Sequence, residues 1–466
     1  MTNFWDYNVW GFVILMSVLL GSLLVGSVLK KSIPFLRESL IPTSVLGGLI
    51  LLIIAAVYKV VTGQTMFESS LFGANGLDTL EIITYHTLAL GFIASAFQTT
   101  KGRITKQRTV EIFDTGVTTV STYLIQAVVG LVITMIVSLV LKDFFAAAGV
   151  LLPFGYGQGT GQALNYGTIY ESEFGFVGGK SFGLTIAALG FLCASIGGVI
   201  HLNILKKRGK LVFSSRDDGS LHTDNIESEN EIPMQASIDK MTIQISLILL
   251  AYMAAYLLMY ALGRLFPGMR AVIYGFNFLL GVLTATLIKV LMNFLRKKNI
   301  IKKNYTNNFL MTRLSNFFYD IMVVAGIAAI RLDMLEKYWG VILIIGSVGM
   351  VVTYVYNRIV AKTLFKDYAE EQFLAMYGML TGTASTGIIL LREVDKDFKT
   401  PVSDNLVYQN FPAIVLGFPM MFLATLAPTR PVLTLMIFIV FFLAMNVILF
   451  RRFIFHLGKK KNGDSK

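Results

Sequence analysis

Long apolar stretches, separated by short polar segments, recur along almost the whole chain. A helix needs about 20 apolar residues to cross the hydrocarbon core of a bilayer. About eleven stretches approach or exceed that length. The pattern therefore predicts an all-α polytopic membrane protein with about eleven transmembrane helices, at residues 8–29, 40–61, 82–98, 113–141, 184–205, 241–263, 270–295, 308–330, 338–360, 408–427 and 431–450.

Composition supports the same class of protein. Hydrophobic residues make up 55% of the 466 residues and charged residues only 15%, which places the chain outside the soluble globular range. The single cysteine, Cys193, lies in an apolar run, so it offers neither an intrachain disulfide nor a cysteine metal site. Since no nucleophile, transition-metal cluster or acid–base pair stands out either, we expect a protein that is not an enzyme.

The net charge of +12 is distributed by membrane side. Lys and Arg residues are abundant in every second loop and scarce in the loops between. Because basic residues collect in cytoplasmic loops, this alternation predicts an outside N-terminus and a cytoplasmic C-terminus in the inner (plasma) membrane. A nucleic-acid patch would not alternate with spans, so we expect the lipid bilayer and no nucleic acid as partner. When loops are assigned alternately, one side holds only 8 of the 40 Lys and Arg residues, namely Lys59, Lys142, Lys180, Arg264, Arg270, Arg331, Lys337 and Arg430.

A polar segment divides the chain into two halves of five spans each. Five is an odd number, so two equivalent halves must lie upside down relative to each other, which is the inverted-repeat plan of many secondary transporters. Each half also contains a short Gly-rich piece that we expect to be re-entrant. The predicted units are a first repeat at 1–205 with its loop at about 144–168, a cytoplasmic linker at 206–240, a second repeat at 241–427 with its loop at about 373–391, and an extra span with a cytoplasmic tail at 428–466.

A shared motif supports the repeat. Residues 154–162 (FGYGQGTGQ) and 377–385 (YGMLTGTAS) align without gaps as aromatic, Gly, any three, Gly, Thr, small, polar, and both lie between the fourth and fifth spans of their half. The glycines could simply allow close helix packing. Their interleaving with Gln and Thr is more typical of backbone that is broken at membrane depth, which is tolerated only in protein or beside a watery cavity.

Such broken segments are candidate binding sites. Freed amides at half-helix starts suit a carboxylate, whereas freed carbonyls and hydroxyls suit sodium, which we expect as the coupling ion without any organic cofactor. The candidate ion-binding residues are Gly155, Thr160, Thr381, Gly382 and Thr383. The candidate substrate-binding residues are Gln158, Gly159, Thr160, Gln162, Asn165, Thr383, Ser385 and Thr386, together with Asp320 for an ammonium or cation and Arg392 for a second carboxylate.

An alternative function rests on Asp320, an acid near the middle of the eighth predicted span. Acids inside a membrane are typical of proton pathways, so a proton- or cation-coupled antiporter stays open beside a sodium-coupled symporter. Hydroxyl and carbonyl ligands do not titrate near neutrality, and intramembrane acids are few here. These two features favour the symporter.

The stretch from Gly378 to Gly387, continued through Asn405 to Pro419, resembles the sodium:glutamate symporter family of bacterial ESS-type carriers. The resemblance implies sodium-driven import of glutamate or a related carboxylate or amino acid, a homodimer, and an elevator movement of the loop-bearing domain. It also implies that the first loop enters from outside and the second from the cytoplasm. By position, the family's loops correspond to Gly159, Thr160, Gln162, Asn165, Thr383, Ser385 and Thr386, and the eleventh span is an addition.

Overall fold

The computed structural model describes residues 3–98, 105–209, 238–336, 338–395 and 399–454, so most of the predicted linker and the tail beyond 454 lie outside the described residues. All regular secondary structure in these ranges is helical. The α-helices are α1 Tyr7–Ser32, α2 Pro34–Glu38, α3 Thr43–Thr62, α4 Gly76–Phe97, α5 Lys106–Val140, α6 Leu151–Phe174, α7 Gly179–Lys207, α8 Lys240–Leu265, α9 Arg270–Gly275, α10 Asn277–Lys297, α11 Asn308–Ala328, α12 Trp339–Leu364, α13 Ala369–Thr381, α14 Ala384–Arg392, α15 Val402–Tyr408, α16 Asn410–Ala424, α17 Pro431–Leu449 and α18 Arg451–Ile454.

The number of helices fit to span a membrane is slightly lower than predicted. Within the described residues, nine helices are long and apolar enough, or ten when α15 and α16, which meet at 46°, count as one span. The predicted span at 308–330 is the helix α11, but it is not among them. The polar residues of α11, among them Arg313, Asn316 and Asp320, lie before Ile321, whereas the stretch from Ile321 to Ala328 is non-polar and buried.

Two long antiparallel helix pairs organise the bundle. In the pair α5–α12, Gln126 is hydrogen-bonded to Thr353 and Asn357 to Thr122, so the two helices run in opposite directions. In the pair α4–α11, the Ser95 and Ser315 hydroxyls lie 2.7 Å apart, and one turn earlier on α4 Gly91 faces Tyr319, one turn later on α11. The end of α5 therefore lies beside the start of α12, and the end of α12 beside the start of α5.

The remaining contacts fall into matching sets across the two halves. Helix α1 packs on α3 and α8 packs on α10, whereas α3 contacts α11 and α10 contacts α4. Likewise α7 packs on α12 and α16 packs on α5. The inverted repeat and its domain limits stay predictions.

Helix α6 is a hairpin of two half-helices. Its backbone breaks at Gly159, where φ is 77° and ψ is −171°, a conformation that is essentially restricted to glycine. The rings of Phe154 and Tyr166 stack with centroids 3.7 Å apart, although twelve residues of straight helix would separate them by about 18 Å. Phe145 and Phe176 stack at 4.6 Å beside the two ends of the hairpin. We call residues 151–174 the first hairpin.

Helices α13 and α14 form a second hairpin, residues 369–392. The chain leaves the helix at Gly382 (φ −135°, ψ −107°) and starts again after Thr383. The arms approach so closely that a Cβ on Gly387 would lie 2.5 Å from the carbonyl oxygen of Ala375. Both predicted Gly-rich loops are thus helical hairpins, whereas their re-entry into a membrane stays a prediction.

The extra helix α17 packs against α5 and its partner α12. Arg451, which follows α17, donates to the buried Asp114 carboxylate on α5 at 2.6 Å. Tyr356 on α12 donates its hydroxyl to Asn446 Oδ1 on α17 at 2.9 Å. Helix α17 therefore braces the pair α5–α12.

Candidate functional site

The tips of the two hairpins meet inside the bundle. The first hairpin follows the end of α5 and the second follows the end of α12, and because these helices are antiparallel the hairpins enter from opposite ends. A Cβ built on Gly159 would lie 4.0 Å from Thr383 Cγ2 and 3.7 Å from Met322 Cε of α11. The two breaks are therefore neighbours, and they occur at aligned positions of the shared motif, Gly159 with Gly382.

Four half-helix ends converge at this meeting point, two starting and two finishing. At the start of α14, Thr383 is the N-cap, and its Oγ1 accepts a hydrogen bond from the Thr386 amide at 3.3 Å. The first amides of any helix have no partner inside it, and at this start Ala384 and Ser385 are exposed. This helix start therefore offers amide donors and a partial positive charge to an anion.

Two buried threonines lie beside the breaks. Thr160 Oγ1 donates to the Met322 carbonyl at 3.2 Å, and Thr381 Oγ1 donates to the Tyr377 carbonyl at 2.5 Å. Both side chains are 0% exposed. Since each hydroxyl proton is committed to a backbone carbonyl, the lone pairs of both oxygens remain able to accept a donor or a cation.

Gln162 and Asn165 lie on the second arm of the first hairpin, one to two turns beyond the break. Asn165 Nδ2 donates to the Gly275 carbonyl at 3.0 Å and lies 3.5 Å from Gln162 Oε1. Gln162 is 1% exposed, and its Nε2 has no partner in the described ranges. An unpaired buried donor of this kind suits a ligand acceptor.

Gly155 and Gln158 lie on the first arm. A Cβ on Gly155 would be 2.7 Å from Ile186 Cγ2 and 2.9 Å from the Ala187 nitrogen, so this glycine allows the hairpin to pack closely on α7. Gln158 is half-buried at the end of the arm. The structure thus gives Gly155 a packing contact and leaves Gln158 beside the tip.

Asp320 and Arg392 do not lie at the meeting of the tips. On α11, Ile327 shares a face with Asp320 because it is seven residues further on, and Ile327 packs on Gly48 of α3. The hydroxyl that faces the Asp320 carboxylate is that of Ser44, also on α3. Arg392 ends α14, nine residues or about 14 Å of helix from the break.

Sequence reasoning missed two residues of α5 that hold the tips. Tyr123 donates its hydroxyl to the Gly157 carbonyl of the first hairpin at 3.1 Å. Gln126 donates from Nε2 to the Leu380 carbonyl of the second hairpin at 2.9 Å. Both are polar residues in the middle of a predicted span, and that signal could have identified them.

An ion-pair cluster fixes the base of the second hairpin. Glu370, at the start of α13, accepts from Arg358 of α12 at 2.5 and 2.6 Å, and from His201 Nε2 of α7 at 2.9 Å. Although burial opposes its charge, the bonds from Arg358 and His201 lower the pKa of Glu370 to about 2. The carboxylate therefore anchors the hairpin to α7 and α12 at every physiological pH.

The donors at the tips are hydroxyls, carboxamides and backbone groups. Among the residues that the structure describes, no three His, Cys, Asp or Glu side chains are grouped to hold a metal ion. Oxygen donors without a soft ligand suit a hard cation such as sodium.

The sequence matches the family model for the sodium/glutamate symporter over residues 10–400. The chain belongs to that family. The protein is therefore a secondary transporter of the sodium/glutamate symporter type and not an enzyme. Its many long apolar helices make it a multi-pass membrane protein. Residues 10–400 include both hairpins, whereas α17 lies beyond them. No curated protein matches the chain.

Proposed function

We propose that the symporter couples sodium entry to import of glutamate or a related carboxylate, and that both ligands bind where the hairpin tips meet. The observation that carries this proposal is the approach of the Gly159 break to Thr383. Two half-helix starts beside two half-helix ends provide amide donors for an anion and carbonyl oxygens for a cation. Within this site, Thr160, Thr381 and Thr383 supply hydroxyl oxygens.

The substrate carboxylate is assigned to the start of α14 and the Gln162 region. Two groups here can donate to a ligand. They are the exposed helix start at Ala384 and Ser385 and the Nε2 of Gln162, which has no acceptor in the described ranges. Charge-assisted bonds from such donors are stronger than neutral ones. Arg392 is about 14 Å along α14 from the tip, so a second carboxylate would reach it only after the substrate leaves the tips.

The overall mechanism that we propose is alternating access by an elevator movement. The hairpins pack mainly on α5, α7 and α12, and contact α4 and α11 through α6. The moving unit in this proposal contains the hairpins and the helices on which they mainly pack, namely α5, α6, α7, α12, α13 and α14. Helices α4 and α11 belong to the static scaffold. The matching helix contacts support an inverted repeat. The outside N-terminus is proposed from the distribution of basic residues, and the homodimer from the family resemblance alone.

An antiporter that relies on Asp320 is the weaker alternative. The Asp320 carboxylate faces Ser44 and α3, away from both tips. Sodium-dependent uptake that survives Asp320→Asn would remove the alternative. A pH-driven flux that Asp320→Asn abolishes, with no response to sodium, would establish it.

The deciding experiment is uptake of radiolabelled glutamate into proteoliposomes with and without an inward sodium gradient, at fixed pH and membrane potential. We expect sodium-dependent accumulation that falls at least tenfold in Thr383→Val, which removes the hydroxyl at the tip. Thr286→Val is the matched control, because Thr286 is exposed on α10 and bonds only its own helix.

Folding of both variants is checked by monodispersity and thermal unfolding in detergent. Loss of an N-cap alone costs about 1 kcal/mol, which a folded membrane protein tolerates. Wild-type uptake by a folded Thr383→Val variant would refute the assignment of the site to the tips. An inert wild type would direct the search to other carboxylates.

A further inference from the structure

A ladder of four polar side chains joins α5 and α12 behind the second hairpin. Gln126 Nε2 donates to Thr353 Oγ1 at 2.8 Å, and one turn away Asn357 Nδ2 donates to Thr122 Oγ1 at 3.3 Å. All four side chains are 0–1% exposed. Such a ladder at the centre of a helix pair needs each polar atom to have a partner.

The orientation of both carboxamides is set by backbone carbonyls. Gln126 Nε2 also donates to the Leu380 carbonyl at 2.9 Å, and Asn357 Nδ2 donates to the Thr353 carbonyl at 3.0 Å. A carbonyl oxygen can only accept, so the group that faces it must be the NH2. If either carboxamide were turned over, its oxygen would face the carbonyl oxygen, which is unfavourable. The hydrogen bonds therefore fix which atom of each carboxamide is nitrogen and which is oxygen.

Two carbonyl oxygens are consequently left over. Gln126 Oε1 and Asn357 Oδ1 are buried and have no hydrogen-bond partner within the part of the chain that the structure describes. They belong to neighbouring rungs, about 6 Å apart along the helices. An unpaired buried acceptor is costly, so two of them in one ladder indicate an occupant that brings positive charge or donors of its own.

The donor chemistry selects the class of occupant. Carboxamide and hydroxyl oxygens are hard, neutral ligands, which suit a hard cation. A divalent ion is held by carboxylates in proteins, and in the described ranges no three acidic, His or Cys side chains are placed so that they could hold a metal ion together. The ladder therefore fits a monovalent cation. Among monovalent cations we choose sodium, because the family is that of the sodium/glutamate symporter.

We propose that Gln126 and Asn357 form a sodium site on the pair α5–α12, separate from the hairpin tips. The proposal rests on the proposed function and deepens it, because Gln126 also holds the Leu380 carbonyl, two residues before the break at Gly382. A cation that engages Oε1 fixes the amide whose Nε2 holds the second hairpin. Sodium occupancy is thereby linked to the position of the tip.

The test is sodium-dependent thermal stabilisation of the purified protein in detergent, without substrate, with choline replacing sodium. A ligand that binds the folded state raises its stability as its concentration exceeds the dissociation constant. Asn357→Leu keeps the branched shape and removes the carboxamide with its unpaired oxygen, and we expect at least tenfold more sodium for half of the wild-type shift in melting temperature. Asn446→Leu is the matched control, because that carboxamide on α17 has partners at both ends, and its sodium response should equal that of wild type.

Asn357→Asp is a second variant that distinguishes loss of the sodium site from a folding defect. It keeps the shape of the side chain and adds a negative charge. It should lower the sodium concentration needed for half of the shift. An unchanged sodium response in both variants would show that water alone satisfies these oxygens and would overturn the site, as would a wild type that sodium does not stabilise.

The two proposals fail separately. If wild type shows sodium-driven uptake but Asn357→Leu keeps its sodium response, the function stands and the ladder site falls. If sodium stabilises wild type but not Asn357→Leu, and no carboxylate is taken up, the site stands and the proposed function falls.

Discussion

Replacing Gly159 by alanine tests whether the break in the first hairpin is required. The residue has φ 77° and ψ −171°, and a side chain in that region costs about 1–3 kcal/mol. Space is not the obstacle, because the nearest atoms to the added Cβ would be Met322 Cε at 3.7 Å and Thr383 Cγ2 at 4.0 Å. The penalty is therefore one of backbone conformation alone.

That penalty has a defined consequence for transport. A cost of about 1–3 kcal/mol reduces the population of the broken conformation roughly 5- to 150-fold relative to any conformation that relieves it. If the ligands bind only between broken tips, their apparent affinities fall by the same factor. We expect Gly159→Ala to remain folded while the glutamate and sodium concentrations for half-maximal uptake rise at least fivefold.

Gly175→Ala is the matched control for this prediction. Gly175 also has a positive φ, 71°, and no atom lies within 4 Å of its added Cβ, but it ends the first hairpin far from the tip. Its substitution should lower the melting temperature without a change in half-maximal concentrations. Equal uptake parameters for Gly159→Ala and Gly175→Ala would refute the view that the break forms the site.

Two further predictions concern charges around the hairpins. Because the pKa of Glu370 is lowered from 4.5 to about 2, its contribution to stability is full above pH 4.5 and is lost as the pH falls toward 2. The difference in melting temperature between wild type and Glu370→Gln should therefore stay constant from pH 7 to pH 5 and narrow below pH 4.5; narrowing at higher pH would contradict the bond to Arg358. Arg451→Ala should destabilise the symporter by ~3 kcal/mol in thermal unfolding because it leaves the buried Asp114 charge unpaired. Arg452→Ala, at an exposed position, should have little effect, and equal losses in both variants would argue against the brace.

The local features of the hairpins could be predicted from sequence. A gapless motif with glycines and threonines at matched positions placed a break in each half, and the backbone breaks at Gly159 and Gly382. Span positions were similarly readable, because each apolar stretch is local and has the length that a bilayer requires. Helix α11 is less apolar than its neighbours because its first part carries Arg313, Asn316 and Asp320, while its buried second part is non-polar.

Sequence alone therefore determined an all-helical membrane protein with two interrupted segments, and the family that these features resemble. Only the tertiary structure decided which polar residues meet. Tyr123 and Gln126 of α5 hold the two tips, while Asp320 turns toward α3. The physical reason is that hydropathy and motif spacing act within one segment. The facing of a side chain depends on helix rotation and on partners more than 200 residues away, such as Leu380 for Gln126.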